Sequence, residues 1–129
     1  MSPWSHSVYS PSQVRELDQR AIAQLDISGY ELMCRAGQYA FDMGLARFTQ
    51  ARHWLVLCGS GNNAGDGYVI ARLARAAGVE VTVVAITDPL RLKGDACKAF
   101  EEFRAAGGET QAYDPVSCPA GDLVIDAML

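Results

Sequence analysis

Apolar residues recur at helical spacing in the first part of the chain and then give way to short continuous runs. Ser10 to Gln13 reads as a helix start. Ser10 can cap, Pro11 suits the first helical position, and Gln13 can reach back as in a capping box. Val14, Leu17, Ala21 and Leu25 then repeat at helical spacing. Ser28 and Gly29 interrupt the pattern. A second helix is expected to follow, with Leu32, Met33, Ala36, Ala40, Phe41, Leu45 and Phe48 on one broad face. Gly37 and Gly44 lie on that same face. A glycine costs a helix about 1 kcal/mol relative to alanine, so two of them imply close packing against another element.

From His53 the period changes. Trp54 to Cys58 is a continuous apolar run that ends in glycines, as in a buried parallel strand. A helix is expected from about Asp66 to Ala77, with Val69, Ile70, Leu73 and Ala77 inward and Gly78 closing it. Val79 to Ile86 is rich in β-branched residues and reads as the next strand. Thr87 to Pro89 turns the chain. Ala96, Ala99, Phe100 and Phe103 mark another helix, ended by Gly107 and Gly108. Thr110 to Tyr113 reads as a short strand, and Leu123 to Leu129 as one more apolar strand. Strands alternating with helices imply an α/β fold, Rossmann-like, three-layered αβα, with a mostly parallel sheet. The expected strand order places the third strand outermost, then the second, then the first, with Asp122–Leu129 beyond the first. Two extra N-terminal helices pack on a face or edge. The chain thus divides into a helical part over 1–50 and βα units over 51–129.

Composition adds mainly exclusions. The 129 residues suffice for one domain with a core. Half are hydrophobic and a fifth charged, as in ordinary globular proteins. The net charge is −4 with no basic run, which argues against a nucleic-acid surface. No apolar stretch approaches the ~20 residues of a membrane span. Met1 to His6 shows no basic region followed by an apolar one, so no secretory signal is read there. A cytoplasmic location is the default expectation. Cys34, Cys58, Cys97 and Cys118 form no Cys-x-x-Cys pair, and with only His6 and His53 they fit no zinc spacing. They read as reduced, small core residues.

The chemistry gathers in one loop. Gly59 to Ala64 fits the loose pattern G-x-G-x-x-G/A between a strand and a helix. Its glycines let backbone approach a ligand, and the helix start offers N–H groups to an anion. The bland alternative is a glycine-rich turn that binds nothing. An ordinary dinucleotide fingerprint needs an acidic residue at the end of the second strand. Asp88 is the nearest one, late and beside Pro89. Asp66 places a carboxylate at the expected helix start, good for the helix dipole and poor for a phosphate; helix capping would also explain it. Asn62 and Asn63 offer amide oxygens but also suit plain turns. Asp126 sits near the end of an apolar strand, where burial of a carboxylate is costly unless it is paired or binds a metal. Asn63 and Asp126 could offer neighbouring oxygens to a hard cation, or Asp126 could cap the following loop.

Three segments together resemble the NAD(P)H-hydrate epimerases, also called the YjeF N-terminal domain. Gly29 to Gly37 is similar to the family's leucine-methionine-x-arginine-alanine-glycine helix. Gly59 to Gly67 is similar to its asparagine-asparagine-x-glycine-aspartate-glycine loop, the most specific of the three. Leu123 to Leu129 is similar to the strand before its glycine-threonine-glycine loop. The resemblance runs from about Ser10 to Leu129. It implies an isomerase of nicotinamide-cofactor repair that interconverts the R and S forms of NADHX and NADPHX. It implies Asn62, Asn63, Ala64, Gly65 and Asp66 as substrate-binding residues, and Asn63 and Asp126 as ligands of a potassium ion. An NAD(P)H-hydrate dehydratase is the implied functional partner, and a homodimer is compatible with it; neither nucleic acid nor membrane is an expected partner. The glycine-threonine-glycine loop and a later valine-aspartate-x-proline-serine-glycine segment are absent from these residues. By resemblance they would supply further contacts, the acid–base aspartate and the last potassium ligand.

Leu129 falls in or just after an apolar strand, and a parallel sheet normally needs both faces covered. The native protein is therefore expected to continue, and the isolated chain to expose a sheet edge and an apolar face. Two other readings compete: the front of a bifunctional epimerase and ADP-dependent dehydratase, and a non-catalytic nucleotide-binding scaffold. A scaffold has no need of Asn62, Asn63, Asp66 and Asp126 together. A plain NAD-dependent dehydrogenase lacks a visible catalytic His or Tyr-Lys arrangement.

Overall fold

The computed structural model describes residues 10–25 and 27–129. The reading of Met1 to His6 lies outside the described residues. Helix α1 spans Pro11–Leu25. Its capping box forms as expected: Ser10 Oγ accepts from the Gln13 N–H at 3.2 Å, and Gln13 Oε1 accepts from the Ser10 N–H at 2.8 Å. Leu17 is about half exposed; the side chains of Val14, Ala21 and Leu25 lie outside the described ones. Helix α2 spans Gly29–Arg47, with Ser28 Oγ accepting from the Glu31 N–H at 3.0 Å.

Strands β1 (His53–Cys58), β2 (Glu80–Ala85), β3 (Thr110–Ala112) and β4 (Leu123–Ala127) form one parallel sheet in the order β3-β2-β1-β4. This is the order the βα alternation implies. Helices α3 (Asn62–Ala76) and α4 (Gly94–Ala105) make the crossovers. Gly78 and Gly107 adopt φ of +85° and +91° just past their ends, which only glycine does without strain. Register sorts the strand residues into two faces. Trp54, Val56 and Cys58 lie level with Val81, Val83 and Ala85 on one side and with Leu123, Ile125 and Ala127 on the other. Helices α2, α3 and α4 pack over that face, with Tyr68, Val69, Phe100 and Phe103 buried against it. The opposite face carries Leu55, Leu57, Val84, Val124 and Asp126, and a hydrogen bond of 2.7 Å between His53 Nε2 and Thr82 Oγ1.

Close packing explains the helix glycines. A Cβ on Gly37 would strike Val69 of α3, and one on Gly44 would come within 2.7 Å of the Trp54 ring. The buried stripe of α2 is accordingly Met33, Gly37, Phe41 and Gly44. Ala36, Ala40, Leu45 and Phe48, expected on the same face, are instead exposed. The contact is narrow because backbone approaches backbone there, so flanking apolar positions fall on the rim. On α3, Ala74 is buried where Ala77 was expected; Ala77 is the exposed C-cap. Cys118 is likewise exposed, not a core residue, because it sits in the irregular stretch before β4. Tyr30 of α2 donates its hydroxyl to Glu102 of α4 and lies under Lys98 Nζ at 4.5 Å, tying the two helices.

Candidate functional site

The glycine turn after β1 is short, and α3 starts earlier than the sequence suggests. Gly61 is the N-cap, and Asn62 and Asn63 already belong to the first helical turn. Asp66 therefore lies in the second turn and is not at the helix start. Asparagine and glycine are poor helix formers, which hid this turn; tertiary contacts hold it. A Cβ on Gly65 would strike Met33 and lie 3.0 Å from the Ala96 Cα, and one on Gly67 would lie 2.8 Å from both Cys58 Sγ and the Ala127 Cβ. No side chain caps α3. The Ala64 N–H donates to Gly61 O at 3.1 Å; the start of the helix remains a setting that favours negative charge.

Asn62, Asn63 and Asp66 line one cleft of about 390 Å³, within the size range of small-ligand sites. Leu32, Met33 and Ala36 of α2 form an apolar wall of it, and Asp95 opens α4 on another side. Arg15 and Gln19, one helical turn apart on α1, also face it. Reading along the sequence missed Arg15, Gln19 and Asp95. Their only signal was local, a polar pair on one side of α1 and a carboxylate in a first helical turn. The cleft sets a guanidinium and a helix start beside two carboxylates, so it suits a ligand with both anionic and polar neutral parts.

The other residues named from the sequence are placed differently. Ala64 is fully buried in the core, and Gly65 is covered by α2 and α4. Asp126 is exposed, level with Leu57 on the sheet face away from α3. Burial cost, the reason given for pairing it with a cation, does not operate there. Its Oδ1 accepts from the Met128 N–H at 3.1 Å, a turn that ends β4. Asp126 does not line the cleft that Asn63 lines. The donor chemistry still suits a hard cation, since both residues offer oxygens near the carboxyl ends of adjacent strands. Among the described residues, no group of three or more His, Cys, Asp or Glu could hold a metal.

The β1–α3 turn and the end of β4 hold each other. The Gly59 N–H donates to Ala127 O at 3.0 Å, and a Cβ on Gly59 would strike the Met128 carbonyl. Asp122 does the same service at the other end of β4. It accepts from the Arg52 and His53 N–H groups at 3.0 and 3.2 Å, which holds its carboxyl below the ordinary range. Cys58, beneath the turn, is pushed up to about 12 by burial, partly opposed by its hydrogen bond to Tyr68.

Sheet order, glycine turn and cleft define an open parallel α/β domain with its candidate site where β1 feeds α3. The family model described as YjeF-related protein N-terminus matches residues 29–129, and the chain belongs to that family. It is 45% identical to the bifunctional NAD(P)H-hydrate repair enzyme Nnr of Escherichia coli K12, over 96% of this chain and 24% of that one. It is 41% identical to an NAD(P)H-hydrate epimerase of Bordetella pertussis, over 90% of this chain and 48% of that one. The crystal structure of the yeast protein YNL200c shares the fold with a TM-score of 0.69 at 22% identity, covering 83% of this chain and 47% of that one. The chain thus spans about a quarter of the bifunctional relative and about half of the epimerase.

Proposed function

We propose that the cleft binds NAD(P)H hydrate and that the protein to which it belongs is an isomerase interconverting the R and S epimers of NADHX and NADPHX. The observation that carries this is the pair Asn62 and Asn63 on the first turn of α3, facing one cleft with Asp66 and Arg15. Relatives at 41–45% identity carry names of this activity. In the substrate a hydroxyl sits on the ring carbon next to nitrogen. It leaves with the nitrogen's electron push, helped by a general acid, and water returns to either face. The residues of this chain supply binding: helix N–H groups and Arg15 for phosphate oxygens, and the asparagine amides for polar groups of the ring or ribose.

Asn63 and Asp126 are the residues that would hold a potassium ion, which would supply fixed positive charge beside the substrate. The product is repaired by a dehydratase, and the bifunctional names of several relatives support a fused one. Four free thiols support a reducing compartment such as the cytoplasm, and no described helix is long and apolar enough to cross a membrane. The test is to give the intact protein separated R and S NADHX and follow both by chromatography. Rapid equilibration from either side is expected. Interconversion no faster than in buffer would overturn the proposal.

A further inference from the structure

A second cavity, of about 360 Å³, opens at the carboxyl ends of β2 and β3. Ile86, Thr87, Asp88 and Pro89 line one side, Thr110 and Tyr113 another. It belongs to the same edge of the sheet as the cleft at Asn62: the Ile86 N–H donates to Cys58 O at 2.9 Å, next to the glycine turn. Ile86 and Tyr113 are exposed, 37% and 50%, although both are large and apolar enough to be buried. Asp88 is exposed at the rim. Its Oδ1 accepts from the Leu90 N–H at 2.9 Å, which fixes the carboxylate in the turn that follows β2.

We infer that this cavity takes the adenosine half of the dinucleotide, with Tyr113 against the base and Asp88 at the ribose hydroxyls. The inference rests on the proposed substrate. In open parallel sheets a dinucleotide lies across the strand ends, its pyrophosphate at the first glycine turn and its ribose at an acid ending the second strand. Asp88 lies three residues past Ala85, the last residue of β2, and the cavity lies on the β2–β3 side of the turn. The cleft at Asn62 then holds the part of the substrate beyond the pyrophosphate. A flat aromatic ring beside Ile86 and Pro89 suits a purine, and an exposed carboxylate suits two vicinal hydroxyls better than a phosphate.

Two substrates separate this idea from a general loss of function: NADHX and the hydrate of reduced nicotinamide mononucleotide, which lacks adenosine. In the intact protein, Tyr113→Ala should raise KM for NADHX about tenfold, as expected for loss of base–aromatic stacking. It should leave kcat, and both constants for the mononucleotide hydrate, unchanged. Asp88→Asn keeps the turn acceptor and should raise KM for NADHX alone, by a smaller factor. Equal effects on both substrates, or none on either, would overturn the inference. If the protein epimerises neither hydrate, the proposed function fails, and the cavity is judged by 5′-AMP alone. NMR shift changes at Ile86, Thr87 and Tyr113 on titration with 5′-AMP, lost in Tyr113→Ala, would support it. Absence of such changes would overturn it.

Discussion

Replacing Gly37 by alanine tests how α2 meets α3. In an open helix interior the change would stabilise by about 1 kcal/mol. Here the new methyl would lie 2.9 Å from Val69 Cβ and closer still to its Cγ1. Carbon atoms prefer a separation of about 3.5–4.0 Å, so α2 must shift by roughly half an ångström or more. Val69 is fully buried, and a β-branched side chain on a helix has one strongly preferred rotamer, so it cannot swing aside. Overpacking of this kind costs about 1–3 kcal/mol. Destabilisation by about 1 kcal/mol is therefore expected, because the steric cost exceeds the gain in helix propensity. Urea unfolding measures it. The companion variant Val69→Ala should lose about 2 kcal/mol by itself, since it empties a buried site. With Val69 gone the Gly37→Ala methyl has room, so the double variant should be no less stable than Val69→Ala alone. Refutation would be a Gly37→Ala protein more stable than the parent, or additive losses in the double variant. Either would show that α2 does not approach α3 this closely. Because α2 also carries Leu32, Met33 and Ala36 into the cleft, the same shift should weaken substrate binding.

Asp126→Ala in the intact protein should lower epimerase activity and abolish its response to potassium; if both are unchanged, Asp126 serves only to turn the chain at Met128. Cys58, with its thiol pushed up to about 12 by burial, should not react with a disulfide reagent in the folded protein at pH 8, whereas the exposed Cys118 should. Reaction of both at equal rates would contradict the packing of Gly67 over Cys58. The Asp122 carboxyl is lowered in the folded state by two backbone N–H groups. Its contribution to stability is therefore present above the ordinary carboxylate value of 3.8 and lost as pH falls through the lower native value. Asp122→Asn should narrow its stability gap to the parent in that acid range; a gap constant down to acid unfolding would show that the carboxylate charge is not what Arg52 and His53 bind.

Much of the fold was legible because it follows from local rules. The Ser10 and Gln13 capping box needs only four consecutive residues. The strand order follows from alternating strands and helices with right-handed crossovers. The glycine turn was readable as a site because strand, glycines and helix come in a fixed succession. The motif residues also pointed to the family whose model matches residues 29–129. What escaped depended on contacts distant in sequence. The first turn of α3 is helical because Met33, Ala96 and Ala127 close around Gly65 and Gly67, against the local preference of asparagine and glycine. The buried stripe of α2 is set by Val69 and Trp54, so an even apolar face could not say which side would be covered. Asp126 shows the same limit in a strand. Alternation puts it on the face opposite Ile125 and Ala127, yet an apolar run surrounding it suggested burial. Coverage also depends on place in the sheet: Leu55 and Val84 on the same face are buried in the central strands, whereas Asp126 is exposed on the edge strand β4, and α2, α3 and α4 lie on the other face. Arg15, Gln19 and Asp95 meet Asn62 only because three helices converge at one end of the sheet. Periodicity specifies what each element buries; packing of the elements against one another specifies which polar groups share a cleft.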